Sequence, residues 1–129
     1  MLDWPTDEVD KYRLCHKIVY NNDNAYEGYD KLDIEYLRKV VFTPVCEFIK
    51  NNPDKIVWCG EFGTIRHANI KSRENFMRDM ITLLKEYDVP YSVWNYLSTP
   101  NDGNRFSLVD DDTRKILSPT LAEIIKGNV

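Results

Sequence analysis

Two short apolar segments, separated by one amphipathic segment, constrain the fold of this chain more than any other feature of its sequence. Residues 55–63 and 91–97 are rich in β-branched and aromatic side chains, as strands are. Residues 72–87 place apolar side chains every three or four positions, which predicts a helix. Strand, helix and strand in this order form a βαβ unit, so the two strands are expected to be parallel. The first strand is expected to be buried on both faces.

Three more helices are predicted around this unit. Residues 6–20 favour a helix capped by Thr6, although residues 14–20 also alternate as a strand would. Residues 33–50 form an amphipathic pattern that Pro44 is expected to interrupt, because proline lacks the backbone donor. A last helix is expected to begin after Ser118, its N-cap, and to end at Gly127.

Within the central helix, the sequence predicts the cap and one surface ion pair. Ser72 precedes the apolar stripe and is a residue type that caps helix amino termini, so the helix is expected to begin there. Glu74 and Arg78 are four residues apart in the favourable order, which predicts an ion pair along the helix.

Length and charge limit the class of protein. With 129 residues and 43% hydrophobic residues, the chain is expected to form a single globular domain, residues 1–129. A complete eight-fold β/α barrel needs about 250 residues. The net charge of −4 argues against nucleic-acid binding. No long apolar run predicts a membrane span, and the acidic start is no secretory signal, so we expect a cytoplasmic protein, or a secreted one if the chain is excerpted from a longer precursor.

Cysteine and histidine usage gives no sign of a cofactor or metal site. Cys15, Cys46 and Cys59 are odd in number and widely spaced, so we expect three buried, unpaired thiols rather than disulfides. His16 and His67 are the only histidines, too few for a zinc cluster, and no glycine-rich phosphate loop is present. Neither a metal nor a cofactor is therefore expected.

The first strand ends in a carboxylate. Glu61 stands between Gly60 and Gly63 at the end of an apolar segment, where a charge is costly to desolvate unless it is paired or used. In parallel α/β folds, functional side chains collect at the carboxyl ends of strands. Two interpretations are open: Glu61 is a functional acid, or it is a structural acid paired with Arg66, the nearest cation in sequence.

The second strand ends in aromatic and amide side chains. Trp94 has a planar ring suited to packing against a sugar, and Asn95 and Tyr96 could bond to sugar hydroxyls. The alternative is that Trp94 is an ordinary core residue and Tyr96 lies at the rim. The residues alone leave both interpretations open.

Taken together, these segments resemble the carboxyl-terminal part of glycoside hydrolase family 5, the cellulase family. The resemblance extends over residues 36–125. The residues that carry it are 56–63 with Gly-Glu-Phe-Gly at 60–63, Arg66-His67-Ala68, Arg73, Asp79, Tyr87, residues 93–96 with Trp-Asn-Tyr at 94–96, Phe106 and Leu108. It implies an α/β fold: a partial (β/α)8, TIM-type barrel comprising its carboxyl-terminal βαβ portion with additional helices. It implies Glu61 as the catalytic nucleophile, and a sugar site formed by Trp94, Asn95, Tyr96, Arg66 and His67.

The resemblance also implies what this sequence lacks. Retaining hydrolysis of β-1,4-glucan needs a second carboxylic acid about 5 to 5.5 Å from the nucleophile. The family places that acid in an Asn-Glu-Pro motif, which is absent here. The family's His-x-Tyr motif has no match either, because His16 and Tyr20 are four residues apart. Asp110, Asp111 and Asp112 could stand in for the missing acid, but an acidic surface turn explains them better.

Three functions therefore remain open. The first is a glycosidase fragment or truncated homologue that binds β-glucan, carries the nucleophile and obtains the missing carboxylate and strands from a second copy or a complementing chain. The second is a carbohydrate-binding or interaction module without hydrolysis. The third is a structural remnant with no activity.

Overall fold

The computed structural model describes residues 3–99, 101–103 and 105–127, which form five α-helices, one π-helical segment and two strands. In chain order these are α1 (Val9–Tyr20), α2 (Ile34–Leu37), the π-helical segment (Arg38–Phe42), α3 (Thr43–Asn51), β1 (Cys59–Phe62), α4 (Ile70–Glu86), β2 (Tyr91–Val93) and α5 (Pro119–Lys126). No helix within those ranges combines the length and the apolarity needed to cross a membrane.

The predicted βαβ unit is confirmed, with shorter strands than expected. β1 and β2 are parallel, with Cys59 opposite Tyr91 and Phe62 opposite Val93. Between these two pairs β1 advances by three residues and β2 by only two, so β1 carries one extra residue. Such an insertion bends a strand and disrupts the regular ladder, which accounts for the short pairing.

The core lies on one face of this sheet. Met77 and Ile81 of α4 pack against Leu121 and Ile124 of α5. A second buried cluster joins α4 to the helices that precede β1. Phe62 contacts both clusters, so the core of the described chain is continuous.

The opposite face of the sheet is open. In the segment just before β1, Trp58 is 62% exposed and Ile56 is 89% exposed. Glu61 of β1 and Ser92 of β2 are exposed as well. The prediction that the first strand is buried on both faces is therefore wrong, because the described helices cover only the face that carries Phe62 and Tyr91.

The amino-terminal helix differs from the prediction in its cap. Thr6 pairs with Leu32 through two backbone hydrogen bonds of 2.9 and 2.8 Å, so it lies in an extended bridge and α1 begins only at Val9. The strand interpretation of residues 14–20 is wrong, because these residues are helical to Tyr20.

The interruption of the second helical region is confirmed. Five π-helical residues separate α2 from α3. Pro44 lies in the first turn of α3, directly after the π-helical segment, where the change of helix type falls.

The central helix begins earlier than predicted. Asn69 is its N-cap, and the Asn69 Oδ1 accepts a hydrogen bond of 2.8 Å from the backbone N–H of Lys71. The predicted pair of Glu74 and Arg78 is wrong, because Glu74 is buried and accepts a 2.7 Å bond from the Ser118 hydroxyl.

The last helix matches its prediction. Ser118 caps α5 by accepting a hydrogen bond from the backbone N–H of Leu121, and Gly127 ends the helix in the left-handed region at φ 79°. The three cysteines are unpaired as expected, but Cys15 is exposed and the other two are only partly buried. The expectation of three buried thiols is therefore wrong.

Asp33, the N-cap of α2, gives a pH-dependent prediction. Its carboxylate bonds to the Lys31 ammonium at 2.9 Å and accepts bonds from two backbone N–H groups of the helix, which together lower its pKa. Asp33→Ala is expected to lower the free energy of unfolding at pH 7 by about 1 kcal/mol. A carboxylate with a lowered folded-state pKa stabilises the fold above its unfolded pKa of about 3.9, and this stabilisation is lost as the pH falls through the folded value.

The difference between native protein and Asp33→Ala in urea unfolding should therefore shrink below about pH 4. Asp33→Asn keeps a capping oxygen without the charge and is the matched control. A stability difference between native protein and Asp33→Ala that does not change with pH would contradict the role of the charge.

Candidate functional site

The carboxyl ends of the two strands meet in close backbone contact. The backbone N–H of Trp94 donates a 2.7 Å hydrogen bond to the carbonyl of Phe62. Gly63 lies directly against the backbone of Trp94, and a Cβ at position 63 would be 1.9 Å from the Trp94 carbonyl oxygen. The Trp94–Asn95 peptide bond that follows is cis. The residue before Phe62, Glu61, is thus brought to the same sheet edge as Trp94.

Glu61 is exposed and its carboxylate is free. Among the described residues, none forms a hydrogen bond or ion pair with its side chain. The alternative in which Arg66 neutralises Glu61 is wrong, because Arg66 pairs instead with Asp111 at 2.7 Å and with Asp110 at 3.6 Å. The acid at the strand end is therefore available to a ligand.

Arg66 belongs to a polar network beside the strand ends. Its partner Asp111 also binds Arg105 at 2.9 Å and accepts a hydrogen bond from the Ser107 hydroxyl. Asp110 accepts bonds from the backbone and hydroxyl of Thr113, and these bonds lower its pKa. The Asp110 side chain thus stabilises a turn that begins at the acidic triplet, as the surface-turn interpretation expects.

The predicted sugar-binding residues at the second strand end are not all in one place. The ring of Trp94 is 46% exposed, which excludes the core interpretation for it. The Asn95 side-chain oxygen accepts a 3.2 Å bond from the Ser98 hydroxyl. Tyr96 is 63% exposed and lines a cavity of about 210 Å³ with side chains of α5, including Leu121 and Ile125.

His67 is exposed and makes no hydrogen bond or ion pair with any residue that the structure describes. Within the same residues, no three His, Cys, Asp or Glu side chains are grouped so that they could hold a metal ion. The backbone thus places Glu61 and Trp94 at the same end of the sheet. The roles of these two residues, and those of Asn95, Tyr96, Arg66 and His67 in sugar binding, stay predictions.

The sequence places Arg73 among the residues that carry the resemblance but predicts no role for it, and in the structure it organises the loops beside the strand ends. Arg73 is only 2% exposed, and its Nε donates to the Thr64 hydroxyl at 3.1 Å while its Nη2 donates to the Ser107 carbonyl at 3.2 Å. It therefore joins the loop after β1 to the segment after β2. The only signal for Arg73 in the apolar pattern is that a cation stands in the first turn of an amphipathic helix. That pattern does not distinguish a buried arginine from one at the surface.

Comparison with known proteins identifies the class of protein to which this chain is similar. No protein-family model matches the sequence. Endoglucanase C of Acetivibrio thermocellus is 39% identical over 95 residues, which cover 74% of this chain and 25% of that protein. An endoglucanase of a Clostridium species matches with the same identity and coverage. The chain thus spans about a quarter of the length of the curated relatives that it matches.

Two solved endoglucanase structures share part of the fold of this chain. A hyperthermophilic endo-β-1,4-glucanase in complex with substrate aligns with a TM-score of 0.60 and 24% identity, covering 73% of this chain and 27% of that one. A second endoglucanase aligns with a TM-score of 0.59 and 21% identity, covering 71% and 27%. At these identities the likeness concerns the fold alone, and assignment to family 5 in particular stays a prediction. Over 74% of its length, however, this chain is similar in sequence to endoglucanases, and its resemblance to cellulase-like glycoside hydrolases is confirmed.

Proposed function

We propose that this chain forms the nucleophile side of a β-1,4-glucan cleft in a retaining glycoside hydrolase, built on the carboxyl-terminal part of a (β/α)8 barrel. One observation carries the proposal: a free, exposed carboxylate, Glu61, lies at the same sheet edge as the exposed ring of Trp94. The names of the relatives support the choice of glucan as substrate.

In this proposal, Glu61 attacks the anomeric carbon of the sugar that packs on Trp94. A bond forms between a Glu61 oxygen and that carbon while the bond to the leaving oxygen breaks, which gives a glycosyl ester. Water then hydrolyses the ester and restores the carboxylate. The leaving oxygen needs a proton and the water needs a base, and both tasks belong to a second carboxylic acid.

We propose that another polypeptide segment, such as one from a second copy or a complementing chain, supplies that acid. The sequence lacks Asn-Glu-Pro, and the acidic triplet is already engaged with arginines and its own turn. The open face of the sheet offers the place where such a segment would complete the cleft.

A binding module without turnover is the second candidate. The exposed rings of Trp94 and Tyr96 favour it, because exposed aromatic rings can hold a sugar without any acid or base. It differs from the first candidate in predicting no covalent intermediate.

A substrate whose leaving group needs no proton separates the two candidates. With 2,4-dinitrophenyl 2-deoxy-2-fluoro-β-cellobioside, dinitrophenolate departs unaided and the fluorine slows hydrolysis of the ester. We expect intact-protein mass spectrometry to show one added fluorocellobiosyl group, and peptide mapping to place it on Glu61. Glu61→Gln should remain unlabelled, because an amide is a poor nucleophile.

Glu47→Gln, which changes another exposed glutamate, on α3, is the matched control and should be labelled like the native protein. Saturable binding of cello-oligosaccharides in calorimetry without any adduct would favour the binding module. Absence of both binding and adduct would contradict both functions.

A further inference from the structure

A second cavity lies between the amino-terminal segment and the loop after β1. Its volume is about 350 Å³. Five aromatic side chains line it: Trp4, Tyr12, Tyr26, Tyr36 and Phe76. Such a cavity has the size and the apolar lining of a small-molecule site.

Arg73 gives this cavity a buried positive charge. It lines the cavity, is 2% exposed and forms no ion pair with any described residue. Its hydrogen bonds use Nε and Nη2 and leave Nη1 without a partner in the described chain. Every side-chain nitrogen or oxygen of the described chain that is closed to solvent has a hydrogen-bond partner, so Nη1 retains some access to solvent.

A buried charge without a counter-ion is unfavourable. Burial lowers the pKa of Arg73, and the nearby charge of Arg66 lowers it further. An anion at Nη1 would compensate this charge through a charge-assisted hydrogen bond. Because Arg73 lies in the first turn of the 17-residue helix α4, the helix dipole would favour an anion there too.

Three other polar side chains of the cavity are already engaged, whereas the Tyr36 hydroxyl forms no hydrogen bond with a described residue. The Tyr12 hydroxyl donates to the carbonyl of Asp3 at 2.7 Å, and the Tyr26 hydroxyl bonds to the His16 ring at 3.0 Å. Trp4 Nε1 donates to Asp79 at 2.9 Å. A sugar with many hydroxyls would therefore find few free partners, whereas an apolar ring with one anionic group would match the lining.

Ser72, which also lines the cavity, bonds to the Asp3 carboxylate at 3.3 Å. Asp3 is not among the lining residues, and it does not pair with Arg73. Asp3 therefore does not neutralise the charge of Arg73.

We propose that this cavity binds a small aromatic carboxylate, with its ring among the aromatic side chains and its carboxylate on Arg73. The site is separate from Glu61 and does not depend on the function proposed for that residue.

Benzoate and benzyl alcohol test the site on the unmodified protein, because they share the ring and differ in the charged group. In calorimetric titration we expect saturable benzoate binding with a dissociation constant at least ~10-fold lower than that of benzyl alcohol. Equal affinities, or no saturable benzoate binding up to ~10 mM, would overturn the proposal.

Substitutions inside and outside the cavity locate the binding. Ala68→Leu adds bulk to the lining and should weaken benzoate binding at least ~10-fold, while Ala122→Leu, the same change in the cavity beside α5, should leave it unchanged. Arg73→Met should remove the preference for benzoate over benzyl alcohol. If that variant does not fold, Ala68→Leu still decides the site, and binding unchanged by Ala68→Leu would overturn it. Glu61→Gln should bind benzoate as the native protein does, so failure of one proposal leaves the other intact.

Discussion

Gly63→Ala is expected to lower the free energy of unfolding by about 3 kcal/mol or more, because the added methyl group has no room. Its carbon would be 1.9 Å from the Trp94 carbonyl oxygen and 3.3 Å from a ring carbon of Phe106. Since the first obstacle is backbone, the two strand ends must separate. The change should therefore also displace Trp94 from Glu61 and reduce labelling by the fluorocellobioside.

Gly60→Ala provides the matched control on the same strand. A Cβ at position 60 meets nothing within 4 Å, so its effect on the free energy of unfolding should stay within about 0.5 kcal/mol. Denaturant unfolding of the two variants in parallel measures the difference. Equal, small effects at both positions would show that the contact of Gly63 with Trp94 is absent in solution.

Ser118→Ala should lower the free energy of unfolding by about 2 to 4 kcal/mol, because one hydroxyl serves two buried partners. It accepts the cap bond from the backbone N–H of Leu121 and donates to the Glu74 carboxylate at 2.7 Å. Glu74 is 9% exposed, so loss of this bond leaves a poorly solvated carboxylate. Its nearest remaining ion-pair partner is the exposed Lys71, at 3.8 Å.

Ser118→Thr keeps the hydroxyl and should stay close to the native stability. In a Glu74→Ala background, Ser118→Ala should lower the free energy of unfolding only by the cap contribution, about 1 kcal/mol. An equal loss in both backgrounds would mean that Glu74 and Ser118 act independently.

The sequence patterns predicted the βαβ unit and the last helix because their signals are local. An apolar strand, an amphipathic stripe and a Ser-Pro cap each act over a few residues. Contacts between distant segments were not predictable in this way. Thr6 pairs with Leu32 rather than capping α1, and Glu74 bonds to Ser118 rather than to Arg78. In both cases a tertiary partner replaced a local one.

The candidate site was predicted only in part, because some of its contacts join distant segments of the chain. Strand endings placed Glu61 and Trp94 at one edge, and the Gly-Glu-Phe-Gly motif drew attention to Gly63 without revealing its contact with Trp94. The partner of Arg66 lies 45 residues away, so sequence proximity to Glu61 was misleading. The role of Arg73 was not predictable, because its burial depends on how the loop after β1 folds over it.

The open face of the sheet has a consequence for the reactivity proposed for Glu61. Ile56 and Trp58 are exposed in the segment that leads into β1, and Glu61 is exposed to solvent as well. A polypeptide that covered those two apolar side chains would also lower the dielectric around the carboxylate and strengthen every charge interaction there. Binding of that polypeptide and activation of the Glu61 carboxylate would then occur together, and burial of the Ile56 and Trp58 side chains would drive both.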